Sequence, residues 1–148
     1  MAMEYIEGIP LLRPYVDYDN KGFWDAIREH RLVFQRCSEC GLIVHRPRPM
    51  CPQCLSTERE WAPSEGKGRI YTYVDFVYQN ASYPGIKVPY VVVVVEMLEG
   101  VRMISNMIEE SVEDIYVGMP VEVVFDDLAE DLTLPTNRVA CISRWSPY

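Results

Sequence analysis

Residues 36–54 read RCSECGLIVHRPRPMCPQC, and this stretch decides the fold. It holds two Cys-x-x-Cys pairs, Cys37/Cys40 and Cys51/Cys54, with ten residues between them. A two-residue gap lets a tight turn present both sulfurs to one point, with backbone N–H groups facing the thiolates. Two such turns facing each other build a tetrahedral cage of four sulfurs, which suits Zn²⁺ and closes all its coordination positions. Iron fits the same cage by spacing alone. Gly41 after Cys40 suits the first turn, because that position often needs positive φ. Two disulfides or a dithiol redox centre are weaker readings. A redox motif needs only one pair, and disulfides are unusual without an export signal. A closed four-cysteine site offers no open position to a substrate, so its expected role is folding rather than catalysis.

The chain around it has 148 residues, enough for one modest core beside a metal-nucleated module. Its composition, 49% hydrophobic and 24% charged, is that of an ordinary globular chain. The start, MAMEYIEGIP, is acidic and has no basic region followed by an apolar one, so secretion is not indicated. The longest apolar run, around Val91 to Val95, is too short to span a bilayer. These features imply a cytoplasmic, reducing compartment and no membrane association. Net charge is −8 and unevenly spread. Residues 1–60 carry eight Lys/Arg against nine Asp/Glu, whereas 61–148 carry six against thirteen.

Before the cysteines, residues 1–16 mix large apolar side chains with Pro10 and Pro14, which argues for an extended arm rather than a helix. Asp17 to His30 reads as a short helix capped by Asp19 or Asn20, with Phe23, Trp24 and Ile27 on one side and Gly22 weakening its first turn. Phe23 and Trp24 fit a core better than an aromatic ligand platform. Leu32-Val33-Phe34 leads as a strand into the first pair, and Leu42-Ile43-Val44 leads out of it.

From Trp61 onward the pattern turns to β, with a domain boundary expected near Ala62-Pro63. Arg69 to Tyr78 reads as a first strand, 79–89 as a loop, and Tyr90 to Met97 as a near-continuous apolar strand, buried on both faces or covered by another element. Glu99-Gly100 turns into Val101 to Met107, and Ser111-Val-Glu-Asp114 resembles a capping box opening one helical turn. Val121 to Phe125 is a fourth strand, Asp126 to Asn137 an acidic loop, and Arg138 to Trp145 a fifth strand. Five strands with a short helical element between the third and fourth match a five-stranded OB-fold barrel. The expected architecture is therefore mainly β, divided as an arm (1–16), a helix with a rubredoxin-like zinc ribbon (17–62) and an OB barrel (63–148). Cys141 reads as a small buried hydrophobe. The two histidines, His30 and His45, both precede the barrel, and no Ser/His/Asp set, phosphate loop or paired-carboxylate site is apparent.

The order of parts resembles the acyl-CoA-associated OB-fold family with an N-terminal rubredoxin-like zinc ribbon. The resemblance is carried by Phe23-Trp24, by Leu32 to Cys37 with Cys40-Gly41, and by Pro47-Arg48 before Cys51-Pro52-x-Cys54. It continues through Trp61, Gly66 to Thr72, Pro89-Tyr90-Val91, Glu99 to Arg102 and Gly118 to Val121. Leu55 departs from the pattern, standing where a glycine often follows the last cysteine, and the loop 79–89 is peculiar to this chain. The resemblance implies a non-catalytic small subunit bound to a thiolase-like partner that holds the catalytic residues, in a hetero-oligomer with acyl-CoA at or near the interface. Some such complexes act on aromatic or steroid acyl-CoA, including a benzoylsuccinyl-CoA thiolase. On the residues themselves, the apolar arm and the aromatic first strand (Tyr71, Tyr73, Phe76, Tyr78) offer partner-facing surface.

Three rivals have their own signatures. A nucleic-acid module needs clustered Lys/Arg, which the acidic barrel lacks. An electron carrier would absorb visible light through iron–thiolate bonds. A stand-alone acyl-CoA carrier would bind its ligand tightly without a partner. CoA phosphates call for cations, and Arg46, Arg48, Lys67, Arg69 and Lys87 are the candidates.

Overall fold

Eight strands and one α-helix follow from these patterns in a computed structural model that describes residues 13–76, 88–107, 112–129 and 132–139. The helix, α1 (Lys21–Arg28), buries Phe23, Ala26 and Ile27, the i, i+3, i+4 spacing of a one-sided apolar stripe. Its start differs from expectation. Asn20 occupies the N-cap but makes no side-chain bond to the helix. Its amide faces backward instead: Oδ1 accepts from Asp17 N–H at 2.9 Å, and Nδ2 donates to the Tyr15 carbonyl at 2.9 Å. Asp17 Oδ1 in turn accepts from the N–H groups of Asp19 and Asn20, fixing the turn that feeds the helix. Asp19 is drawn off to Arg59, 2.8 Å away.

After the helix, β1 (Val33–Cys37) is the centre of a three-stranded sheet, flanked by β2 (Ile43–Val44) and β3 (Arg59–Pro63). Four of the five β1 residues are buried, including Gln35, the one polar side chain among them. Gly22 has a packing reason to be glycine: a Cβ there would stand 2.2 Å from Trp61 Nε1.

The second sheet closes into a barrel in the order β4 (Lys67–Phe76), β5 (Tyr90–Met97), β6 (Arg102–Met107), β8 (Leu132–Val139), β7 (Pro120–Ala129). Closure comes from pairing β4 with β7, Gly68 opposite Val121. Gly68 is required by crowding, since a Cβ would meet Val95 Cγ1 at 2.5 Å and the Glu96 carbonyl at 2.6 Å. The barrel interior is filled by Ile70, Val91, Val93, Val95, Met97, Met103, Met107 and Val121, and a 3₁₀ turn (Val112–Asp114) precedes Ile115, which is also buried. The same buried cluster contains Phe23, Ile27 and Phe34, so ribbon and barrel share one core.

Two expectations for the barrel change. The β5 strand is covered on its inner face only: Val92 and Val94 are half-buried, and opposite Val94 on the outer face Ile104 is 61% exposed. The acidic stretch 126–137 is a hairpin rather than a loop, with β7 running to Ala129 and β8 starting at Leu132. Aspartate is a poor strand former in general, but Asp127 is bonded on both sides here, as described below. Pro135 is tolerated because β8 meets β6 only near Met107–Asn137, so its missing N–H falls beside a gap in the ladder. The last described strand thus starts at Leu132, ahead of the expected Arg138, and residues 1–12 of the arm, Tyr78, Lys87 and Cys141 lie outside the described residues.

Candidate metal centre

Each cysteine pair sits in the same kind of turn. In the first, Gly41 N–H donates to the Cys37 carbonyl at 2.9 Å and Cys37 N–H donates to the Leu42 carbonyl at 2.9 Å. In the second, Leu55 N–H donates to the Cys51 carbonyl at 3.0 Å and Cys51 N–H to the Ser56 carbonyl at 2.8 Å. The residue after each pair is left-handed, Gly41 at φ +75° and Leu55 at φ +64°. The sequence departure at Leu55 is therefore a leucine held in a glycine conformation.

The turns bring all four sulfurs within 4.8 Å of one another. Cys37 Sγ is 3.5 Å from Cys54 Sγ, and Cys40 Sγ is 3.6 Å from Cys51 Sγ. On a tetrahedron with metal–sulfur bonds of about 2.3 Å, neighbouring sulfurs stand about 3.8 Å apart, so the cage fits one ion. A disulfide needs about 2.05 Å, and all four cysteines are free. The electrostatics favour a cation as well. N–H groups of Cys40 and Glu39 lower the Cys37 thiol, and those of Cys54 and Gln53 draw Cys51 down to about 6. The Ser56 N–H acts on Cys54 in the same sense, but proton sharing with Cys37, with burial and the other two cysteines adding to it, pushes that thiol up to about 12. Four sulfurs this close cannot all ionise without a positive charge among them. The space beside Cys37 and Cys51, lined also by Gln35, is only about 10 Å³, too small for a substrate. This is a structural metal site.

Gln35, which sequence reasoning passed over, holds the loop between the two turns. Its Oε1 accepts from Arg48 N–H at 2.6 Å, and its Nε2 donates to the Arg48 carbonyl at 2.7 Å. Arg59 donates to that same carbonyl at 2.6 Å and to Asp19 at 2.8 Å. A glutamine directly after the apolar Leu32-Val33-Phe34 run was the available signal. His45 leaves the loop inward, its ring 5.3 Å from Phe23 and 5.5 Å from Phe34. Burial, aided by the Arg46 charge, draws its pKa down to about 4, so it is neutral at neutral pH.

His30 ends α1 at φ +55° and reaches the barrel, where Nε2 lies 2.9 Å from both carboxylate oxygens of Asp127. Phe125 stacks on its ring at 5.2 Å, and the Thr133 hydroxyl donates to Asp127 at 2.7 Å. Here the carboxylate separates hydroxyl from imidazole, the reverse of a nucleophile activated by its base. The cluster ties helix to barrel.

The four cation candidates among the described residues do not converge. Arg48 lines a groove between ribbon and barrel. Lys67 pairs with Glu65 at 3.4 Å, Arg69 donates to the Gly118 carbonyl at 3.0 Å, and Arg46 is exposed beside His45. Arg102, which sequence reasoning did not select, lines the same groove as Arg48.

A helix, a four-cysteine ribbon and an OB barrel sharing one core define the class: a metal-locked ribbon–barrel protein. The family follows from sequence comparison. The ChsH2 rubredoxin-like zinc ribbon domain matches residues 24–60, and the ChsH2 C-terminal OB-fold domain matches 61–126. A DUF35 domain-containing scaffold protein of Methanocaldococcus jannaschii is 36% identical over 110 residues, covering 73% of this chain and 77% of the relative. The chain belongs to this ChsH2/DUF35 family. A probable enoyl-CoA hydratase alpha subunit of Thermomonospora curvata is also 36% identical, over 128 residues, but the chain spans only 40% of that relative's length and 86% of its own. More distantly, the benzoylsuccinyl-CoA thiolase subunit BbsA of Thauera aromatica is 28% identical over 101 residues, 66% of this chain and 68% of the relative. Among solved structures, a chain of an Ltp2–ChsH2(DUF35) aldolase superposes with a TM-score of 0.82 at 35% identity, covering 87% of this chain and all of that one. No described helix is long and apolar enough to cross a membrane.

Proposed function

We propose that this chain is a non-catalytic, zinc-holding subunit of a thiolase-type acyl-CoA complex, steadying a catalytic partner and contributing to the binding of acyl-CoA, with an aromatic acyl group as one candidate. The observation that carries the reading is the closed four-sulfur cage, which offers structure and no open coordination position. Relatives named as scaffold proteins, as a hydratase subunit and as a thiolase subunit support it. So do exposed apolar side chains available for contact: Tyr15 and Tyr18 are 83% and 89% exposed, and Val74 and Ile104 are exposed on the barrel. Zinc is the assigned ion, bound by Cys37, Cys40, Cys51 and Cys54. We assign the arm (1–16) and barrel (63–148) to partner contact, and the ribbon (17–62) to scaffolding. The site of action is taken as the cytoplasm. The acid surplus of the barrel opposes nucleic acid as a ligand.

The test is reconstitution with a thiolase-type acyl-CoA enzyme from the same organism. Thioester turnover should be absent with this chain alone and should rise to saturation as the chain is added to the enzyme. Turnover by the isolated chain, or full activity of the enzyme without it, overturns the assignment.

A further inference from the structure

The groove between ribbon and barrel has about 500 Å³ of space, within the range of small-ligand sites. Its ribbon wall is Ile43, Val44, His45, Arg48 and Pro52; its barrel wall is Glu96, Gly100, Val101 and Arg102. We propose that this groove binds the phosphates of a diphosphate-bearing ligand, gripped between Arg48 and Arg102. In a chain of net charge −8, a lining with two arginines against one glutamate forms a local reversal of sign.

Both arginines are held in advance. Gln35 clamps the Arg48 backbone from both sides, leaving its side chain to project from a fixed loop with no carboxylate partner among the described residues. The Arg102 guanidinium lies 3.7 Å over the Tyr71 ring, a cation–π stack that limits its freedom, and its Glu96 contact is loose at 3.9 Å. Gly100, at φ +84°, brings backbone to the rim with nothing within 4 Å of where a Cβ would stand, which leaves room for bulky oxyanions. His45 is neutral and packs against Phe23 and Phe34, so it adds no charge of its own to the groove. Arginine suits this task because its planar fork can give two parallel bonds to one phosphate.

Coenzyme A and free nucleoside diphosphates share that chemistry. The site itself is independent of the acyl-CoA assignment; only the naming of coenzyme A as natural ligand rests on it. The test is calorimetry on the full metal-loaded chain with pyrophosphate, ADP and coenzyme A at low salt. Each probe should bind. Arg48→Gln and Arg102→Gln should each weaken pyrophosphate by about tenfold or more, while Arg69→Gln, outside the groove, should leave it within about twofold. Coenzyme A tighter than ADP identifies the coenzyme as the source, and the reverse identifies a free nucleotide; both orders uphold the site. Absence of binding by all three probes at millimolar concentration overturns it, as does an equal loss in Arg69→Gln. Failure of partner reconstitution alongside arginine-dependent binding would sink the subunit assignment and leave the groove standing.

Discussion

Replacing Gly22 by alanine should destabilise the protein, although helix propensity says the opposite. Gly22 lies in the first turn of α1, where alanine is favoured by about 1 kcal/mol. The added Cβ would sit 2.2 Å from Trp61 Nε1, 2.4 Å from Cε2 and 2.8 Å from Cζ2. Ordinary carbon contacts are about 3.5–4.0 Å, so the indole must retreat by more than an ångström. It cannot do so freely, because Trp61 belongs to β3 and packs against the shared core. Overpacking of this kind costs about 1–3 kcal/mol, which exceeds the propensity gain. The expected net loss is about 1 kcal/mol, or about 2–4 °C in Tm at this chain length. Thermal melts of the metal-loaded protein, with and without Trp61→Val, separate the two terms. In the Trp61→Val background the same Gly22→Ala change should raise Tm, since the obstruction is gone. If it raises Tm equally in both backgrounds, the close approach of helix and β3 is wrong.

Leu55→Gly should stabilise by about 0.5–1 kcal/mol. It relieves a left-handed leucine, and that side chain, 65% exposed, buries little; a lower Tm at unchanged metal content would contradict this. Cys40→Ser should abolish the ribbon's fold, since apparent metal-binding energies of about 10–16 kcal/mol are folding energy in such modules; native circular dichroism and retained metal would refute it. His45 titrates at about 4 when folded and near 6.5 when unfolded. Stability is therefore full above about pH 6.5 and is lost as pH falls toward 4, by roughly 2–3 kcal/mol. His45→Phe should lack that loss, so its urea midpoint relative to wild type should rise between pH 7 and pH 4.5; a constant difference would show that His45 is not buried as described.

The ribbon was legible because cysteine spacing is a local signal, and the four sulfurs meet where two short turns must place them. The barrel strands were legible where the apolar pattern is strong, as the continuous run of β5 and the alternation of β6. The hairpin at 126–137 was not, because Asp127 is made tolerable by His30 and Thr133, one of them 97 residues distant in sequence. Nor was the groove, whose two arginines come from separate modules that only the folded core brings together. The weak first turn of α1 was read as a flaw; it is the clearance that lets Trp61 reach the helix.

One determination bears most directly on the account: elemental analysis of freshly purified, folded protein. A single zinc per chain, held by Cys37, Cys40, Cys51 and Cys54 and lost in Cys40→Ser, is the predicted result. Folded protein carrying neither zinc nor iron would contradict it.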